Sequence, residues 1–272
     1  MELGKLGVWT SARALGEARP DEAAVVAEEL GYGVFWLGGS PRLSALRSVL
    51  AATERIVAAT GIVNIWAYEP AQLDAEYADL EAEFPGRVLV GIGVGHPEAT
   101  SAYVRPLTAM TAFLESLSIP VERRCVAALA PRMLALSKER SRGAIPYFVP
   151  VAHTASARAA LGIGPLLAPE LAVVVDEDGE RGRAVAREYA GLYLGLRNYT
   201  SNLLRHGFDE EDVAGGGSDR LIDEIVPHGG AGLVAAAVRA HLDAGADHVA
   251  VQVLGEPGVP ARGWAAVARE LR

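Results

Sequence analysis

The residues best suited to chemistry lie where an apolar strand opens into glycines and a histidine. Gly91, Gly93 and Gly95 alternate along that strand, so they share a face without side chains, where a flat ligand or a phosphate could approach the backbone. The same glycines could instead relieve crowding inside a barrel. His96 follows directly and is a candidate for proton transfer, with a surface-loop histidine as the alternative. Pro97 is expected to hold it in an extended turn.

A second stretch runs from a strand into an aromatic loop and a helix that starts at a proline. Its Trp66 and Tyr68 could wall a pocket for a planar ring, or form a packing ridge over the rim. His153 follows a later strand, where helix amides and an imidazole suit a phosphate, although a simple capping segment is the alternative. The remaining histidines show no spacing that would make a tetrahedral metal site. A serine-nucleophile elbow of the Gly-x-Ser-x-Gly type is also absent from the sequence.

Composition narrows the function classes. The chain has 272 residues, half of them apolar, and a formal net charge of -9, so no basic surface for nucleic acid is expected. Cys125 is the single cysteine and cannot form an internal disulfide. No run approaches the roughly 20 apolar residues that cross a bilayer, and no signal core precedes the first strand. We therefore expect one cytoplasmic domain, residues 1–272, with no membrane partner.

Short β-rich runs alternate with amphipathic stretches along the whole chain. The predicted strands are 6–9, 34–37, 56–63, 88–92, 125–129, 145–149, 171–175 and 248–253. The predicted helices are 20–30, 43–53, 70–84, 106–117, 131–140, 155–161, a long region from 180 to about 206, a piece after Ser218, and 233–244.

This alternation requires a parallel sheet, because each return to a parallel strand needs a crossover. An open doubly wound sheet would place its glycine fingerprint after the first strand, which here ends in Trp9, Thr10 and Ser11. The prediction is therefore an α/β fold, a single (β/α)8 TIM barrel with a helical insertion after strand 7. Function in such a barrel lies at the carboxyl ends of the strands.

The chain resembles the luciferase-like monooxygenase superfamily, and within it the probable oxidoreductases that use the deazaflavin coenzyme F420. The resemblance covers most of the chain and is specific only in combination. It rests on residues 31–41, 59–66, 84–87, 91–97 and 244–249.

The resemblance implies a flavin-shaped ring at the carboxyl end of the barrel, backed by a bulge in the third strand. In relatives that bulge holds a non-proline cis peptide, which here would be Gly61–Ile62 or a neighbouring bond. The Gly93–Gly95 backbone would hold the phosphate-bearing tail of the cofactor. So would the end of the fifth strand, Leu129, Ala130 and Pro131. The other cofactor-binding residues would be Gly38, Gly39 and Ser40 after the second strand and Gly61 and Ile62 in the bulge.

The chain departs from the family pattern at two strand ends. Leu129 and Ala130 stand where relatives often have glycine before the proline, and Gly38, Gly39 and Ser40 stand where sugar-phosphate-oxidising relatives have an acid and a histidine. His96 is then the substitute proton-handling group.

The insertion after strand 7 would bring Tyr193, Asn198 and Tyr199 to the substrate only if it folds back over the barrel mouth. The expected activity is hydride transfer between F420 and a small organic substrate. An FMN monooxygenase and a non-catalytic binding protein are the alternatives. A homodimer is expected by analogy only.

Overall fold

Parallel strands form the centre of the protein. The computed structural model describes residues 1–96 and 105–272. The strands are β1 (Leu6–Ser11), β2 (Val34–Gly38), β3 (Val57–Thr60), β4 (Val63–Asn64), β5 (Val88–Gly93), β6 (Arg124–Val126), β7 (Gly143–Ala144), β8 (Leu166–Leu167), β9 (Glu170–Val175), β10 (His228–Gly229) and β11 (Val249–Val253). Each pairs in parallel with its neighbours.

Helices cover the outside of the sheet. They are α1 (Ala12–Leu15), α2 (Pro20–Glu29), α3 (Leu46–Ala52), α4 (Pro70–Glu83), α5 (Pro106–Glu115), α6 (Pro131–Arg140), α7 (Val151–Leu161), α8 (Gly179–Leu194), α9 (Arg197–Arg205), α10 (Glu210–Val213), α11 (Asp219–Ile225), α12 (Ala231–Asp243) and α13 (Ala261–Leu271). Helices α2, α4, α5 and α6 begin with proline, whose fixed φ suits the first helical turn. None of the described helices combines the length and the apolar character needed to span a bilayer.

The sheet closes into a ring through one segment, residues 166–175. Its first part, β8, pairs with β7, and its second part, β9, pairs with β11, which in turn pairs with β1. Pro169 lacks an N–H and separates the two parts, and its carbonyl accepts a 3.0 Å bond from the Ala250 N–H. Counting β3 with β4 and β8 with β9 as interrupted strands gives eight ring positions. The predicted α/β barrel is confirmed.

The helical insertion lies after the seventh ring strand, as predicted, and comprises α8 to α11 followed by β10. The long helical region expected from 180 to about 206 is present, and it consists of two helices, α8 and α9, separated at Gly195 and Leu196. The helix α13 after the last strand was not predicted.

The sixth ring strand also differs from its prediction of 145–149. Strand β7 ends at Ala144, because Pro146 and Pro150 cannot donate to a ladder. The chain stays close to its neighbours nevertheless, since the Glu170 N–H donates to the Pro146 carbonyl at 2.9 Å.

The third strand has the expected interruption, between β3 and β4. Every peptide bond among the described residues is trans, Gly61–Ile62 included, so the expected cis bond is wrong. The interruption is made instead by two residues that leave the ladder, after which β4 rejoins β5.

Alternate side chains of the ring strands fill the barrel interior, among them Trp36 and the Cys125 thiol, both fully buried. Burial raises the pKa of that thiol to about 12. Trp36 Nε1 donates to His248 Nε2 at 3.1 Å, and His248 Nδ1 donates to the Gly4 carbonyl at 2.9 Å. Burial lowers the pKa of His248 to about 4, so the imidazole is neutral and its two nitrogens have different roles.

Replacing Gly91 by alanine should destabilise the barrel by roughly 1–3 kcal/mol. A Cβ there would lie 2.2 Å from the Thr60 carbonyl oxygen and 2.5 Å from that of Gly61, both backbone atoms that cannot move aside. Urea denaturation measures the change. Gly191→Ala is the control, because that site in α8 is exposed and open, and alanine there should raise stability by about 0.5–1 kcal/mol. If the two substitutions changed the free energy of unfolding equally, the close contact between Gly91 and the third strand would be contradicted.

Candidate active site

A cavity of about 370 Å³ opens at the carboxyl ends of the ring strands. This is the edge of a barrel at which catalytic sites lie, and the volume falls within the about 300–1,000 Å³ of small-molecule sites. The cavity is lined by Trp9, Gly39, Ser40, Gly61, Ile62, Gly93, Val94, Gly95, His96, Pro106, Ala127, Ala128, Leu129, Ala130, Met133, Ile145, Tyr147, Tyr193, Asn198 and Tyr199.

Trp9 lies against two of the predicted ligand-binding glycines. A Cβ on Gly38 would be 2.6 Å from the indole Nε1, and one on Gly61 would be 2.5 Å from its six-membered ring. The indole also packs against Tyr147, with ring centroids 5.2 Å apart. Gly38 and Gly61 therefore make room for Trp9, and Gly38 itself does not line the cavity. Trp9 was not predicted as a site residue because it lies within the predicted first strand, whereas functional residues were expected at the carboxyl ends of the strands.

The glycine strand serves both roles that its pattern allowed. Gly91 packs under the carbonyls of the third strand, as a crowded barrel interior requires. Gly93 and Gly95 line the cavity, and Gly95 has a φ of 63° that a side chain disfavours. A Cβ on Gly93 would meet the Ile62 side chain at 2.8 Å, and one on Gly95 would meet the Asn64 side-chain amide at 2.9 Å, so both glycines also make room for neighbouring side chains.

His96 lies at the cavity wall, as predicted, with its ring centroid 5.3 Å from that of Tyr199. The expected support from Pro97 lies outside the described residues.

The insertion after the seventh ring strand folds back over the barrel mouth. Tyr193 at the end of α8 and Asn198 and Tyr199 at the start of α9 all line the cavity. The Asn198 Oδ1 atom is buried and accepts no hydrogen bond from any residue that the structure describes. A buried amide oxygen of this kind is costly unless a ligand or water satisfies it.

At two other predicted strand ends, some of the predicted residues line the cavity. Leu129 and Ala130 line it, whereas Pro131 does not and instead starts α6. Gly39 and Ser40 line it as well, and Ser40 has a φ of 53°, unusual for a residue with a side chain.

Trp66 and Tyr68 do not form the predicted aromatic wall of the cavity. The Tyr68 hydroxyl accepts a 2.7 Å bond from the Leu43 N–H and donates to Glu76 at 2.9 Å, so the ring is held in the packing between strands and helices. Trp66 Nε1 donates to the Val94 carbonyl at 2.8 Å. Neither side chain lines the cavity, and Trp66 supports the loop that does.

His153 is corrected in the same way. Helix α7 begins at Val151, so His153 falls in its first turn and is buried. Its Nε2 lies 3.1 Å from the Leu129 carbonyl, and its ring packs against that of His206. Burial lowers its pKa to about 4, so the side chain is a neutral packing group behind the cavity.

Sequence reasoning also missed the polar tyrosine cluster on one side of the cavity. The Tyr147 hydroxyl lies 2.6 Å from that of Tyr189 and 2.9 Å from that of Tyr193. The Tyr189 hydroxyl lies 3.4 Å from an oxygen of Glu170, a carboxyl group that is 2% exposed. Burial raises the pKa of Glu170 to about 8. The signal was present in the sequence, as a carboxylate at the start of an apolar strand.

Comparisons with known proteins agree with the predicted resemblance. A model of the luciferase-like monooxygenase family matches residues 5–119. No curated protein matches the sequence.

Solved structures share the fold along the whole chain. One is an F420-dependent secondary alcohol dehydrogenase in complex with an F420–acetone adduct, 15% identical, with a TM-score of 0.77 and 100% of each chain covered. Another is the coenzyme F420-dependent tetrahydromethanopterin reductase from Methanopyrus kandleri, 16% identical, with a TM-score of 0.72 and 99% of each chain covered. A third is the oxygenating constituent of 3,6-diketocamphane monooxygenase from Pseudomonas putida in complex with FMN, which is 14% identical. Its TM-score is 0.73, and the match covers 99% of this chain and 98% of that one. The chain thus resembles the luciferase-like monooxygenases and has the barrel fold of these enzymes.

Stability should fall between pH 6.5 and 8 because of Glu170. The folded-state pKa of about 8 exceeds the ordinary value of 4.5, so the folded protein keeps a proton that the unfolded chain has lost. Stability from this group is complete below pH 4.5 and is lost as the pH rises toward 8. Across the window from pH 6.5 to 8 the loss is about 2 kcal/mol.

Denaturation at several pH values measures this slope. The buried histidines whose folded-state pKa lies near 4 have an ordinary pKa of 6.5, so they raise stability with pH until about pH 7.5 and offset part of this loss. The difference in unfolding free energy between the wild type and Glu170→Gln removes their contribution and should change by about 2 kcal/mol across the window. A difference that stays constant would show that another group causes the loss.

Proposed function

Because residues 5–119 match the luciferase-like monooxygenases, we propose that this chain is an oxidoreductase. In this proposal it transfers a hydride between coenzyme F420 and a small organic substrate. The observation that carries the proposal is the apolar cavity at the carboxyl end of the barrel, bounded by the Trp9 indole on one side and by backbone free of side chains at Gly93 and Gly95.

The residues present fit a flat cofactor. Trp9 and Ile62 offer apolar surface to a planar ring, and the Gly93–Gly95 backbone allows close approach. The buried Asn198 amide oxygen is an acceptor for a ring N–H or a hydroxyl group. The side chains of Leu129 and Ala130 reduce the width of the cavity on the side where the tail of the cofactor is expected to lie.

When bound, a deazaflavin supplies two-electron hydride chemistry at a ring carbon, and the protein contributes orientation and a dry pocket. The folded-back insertion covers part of the mouth with Tyr193 and Tyr199 and limits the entry of water. His96, at the same wall, is proposed to exchange a proton with the substrate. We also propose, as expected from the sequence, that the protein is a homodimer and is located in the cytoplasm.

Titration of the purified protein with coenzyme F420 and with FMN, followed by fluorescence, tests the cofactor. The proposal expects binding of F420 in preference to FMN. Ala130→Trp should weaken F420 binding by roughly tenfold or more, because a bulky ring would occupy the cavity wall. Ala71→Trp, on the exposed side of α4, is the matched control and should leave the affinity unchanged.

The other possible results of the two titrations lead to different conclusions. Preference for FMN would replace hydride transfer by oxygen chemistry, and binding of neither cofactor would favour a non-catalytic role. F420 binding that Ala130→Trp does not alter would place the cofactor outside this cavity.

His96→Ala should lower kcat by roughly 100-fold for a substrate identified with F420, because a positioned acid or base contributes about that much or more. The F420 affinity should stay nearly unchanged, which separates proton transfer from binding. Unchanged turnover would remove His96 from the chemistry.

A further inference from the structure

We propose that Glu170 is an interior proton store for the reaction, connected to the cavity through the hydroxyl groups of Tyr189, Tyr147 and Tyr193. The inference rests on the proposed hydride transfer, because a carbonyl group that receives a hydride must also receive a proton. A carbonyl reduction takes up a single proton, so this route is the alternative to proton donation by His96.

The hydroxyl groups form a continuous chain. Glu170 Oε1 lies 3.4 Å from the Tyr189 hydroxyl, which lies 2.6 Å from that of Tyr147. Tyr147 continues to the Tyr193 hydroxyl at 2.9 Å and to Gln252 Oε1 at 3.3 Å. Tyr147 and Tyr193 line the cavity, whereas Glu170 and Tyr189 are buried behind them. The chain therefore leads from a buried acid to the cavity wall.

The surroundings of Glu170 favour its protonated form. Tyrosine hydroxyls face it from three elements, namely Tyr147 after β7, Tyr189 and Tyr193 on α8, and Tyr199 on α9. No cationic side chain among residues 1–96 and 105–272 forms an ion pair with it. Two charged groups, Glu170 and Arg13, act on Tyr193. The raised pKa, caused by burial, keeps a proton on the carboxyl group at neutral pH.

The backbone next to the chain is held in an unusual conformation. Phe148 has a φ of 55°, rare for a residue with a large side chain, and its N–H donates to Glu170 Oε2 at 3.4 Å. The Phe148 ring packs on Tyr189, Tyr193 and Tyr199, with centroids 5.0–6.4 Å apart. Packing and backbone together fix the positions of the carboxyl group and the hydroxyls.

Counting protons shows that the chain has two settings. Tyr147 has one hydroxyl proton, which it donates either to Gln252 Oε1, a group that can only accept, or to Tyr193. In both arrangements Tyr189 donates to Tyr147, and Glu170 carries the proton that bonds Tyr189. The arrangement in which Tyr147 donates to Tyr193 is the one that carries a proton to the cavity. When Glu170 is ionised, Tyr189 donates to it and Tyr147 donates to Tyr189. The two settings differ by one proton.

The transfer step is balanced as follows. When bound, a reduced deazaflavin or flavin would supply a hydride to the carbonyl carbon of the substrate. The electron pair of the broken C=O π bond would stay on the oxygen, which would take the proton of Tyr193. Tyr193 regains a proton from Tyr147, Tyr147 from Tyr189, and Tyr189 from Glu170, which becomes a carboxylate. Oxidation of an alcohol runs the same steps in reverse.

Infrared spectroscopy of the purified protein without ligand tests the relay. The C=O band of a protonated buried carboxyl group should be present at pH 7 and absent in Glu170→Gln. On transfer to D₂O the band should shift quickly in the wild type. Tyr147→Phe should slow the shift by roughly tenfold or more, because exchange then requires local opening of the structure. Tyr199→Phe, on the same wall but outside the hydroxyl chain, should leave the rate unchanged.

Tyr189→Phe removes a different link and should slow the exchange as well, so a folding defect in one variant does not decide the result. An absent band, or equal exchange rates in the wild type and both chain variants, would overturn the relay. The F420 titration and the exchange experiment test different claims. If the wild type does not bind F420, the proposed hydride transfer is overturned. If F420 binds but the exchange rate is the same in the wild type and both chain variants, the relay alone is overturned.

Discussion

Closure of the barrel by residues 166–175 is the constraint on which the rest of the structure depends. The segment pairs with β7 and then with β11, and it is tied at its start by Asp247, which accepts from the Leu167 N–H at 2.8 Å and from Arg158 at 2.5 Å. Because β9 begins directly after the crossover from one neighbour to the other, its first residue, Glu170, is enclosed behind the cavity. Ring closure and the burial of the carboxyl group therefore follow from the same backbone path.

The shape of the cavity depends on a complementary arrangement of one large residue and several small ones. Trp9 occupies the space that Gly38 and Gly61 leave empty, and Gly91 allows the third strand to approach closely. Gly93 and Gly95 line the cavity, and the side chains of Ile62 and Asn64 occupy the space beside them where a Cβ would lie. A glycine-rich strand end in a barrel thus divides between packing and binding, and the division is decided by what the neighbouring strand places opposite each glycine.

The order of strands and helices could be predicted because local signals mark it. Prolines start several helices, apolar runs mark the strands, and the insertion follows a recognisable ring strand. Strand ends were less accurate, since Pro146 and Pro169 interrupt ladders whose chains nevertheless stay in place.

The candidate site could be predicted where a residue stands close to the end of a predicted strand, as at His96, Gly93 and Ala130, and where the insertion was expected to fold back over the mouth. The orientation of a loop side chain is decided by distant partners: a carbonyl at Val94 holds Trp66, and Glu76 holds Tyr68. His153 was misplaced because its helix begins four residues earlier than expected. Glu170, Tyr147 and the two tyrosines of α8 meet only through the fold, since they lie on separate elements and Tyr147 precedes Tyr193 by 46 residues.

The interior position of Cys125 makes the single thiol of the chain a reporter. With the side chain fully buried and its pKa raised to about 12, almost no reactive thiolate reaches the surface while the barrel is intact. Reagents that modify thiols must then wait for the ring to open, since the strand that carries Cys125 lies between two others. The rate of labelling would measure how often the whole barrel opens, without any engineered probe.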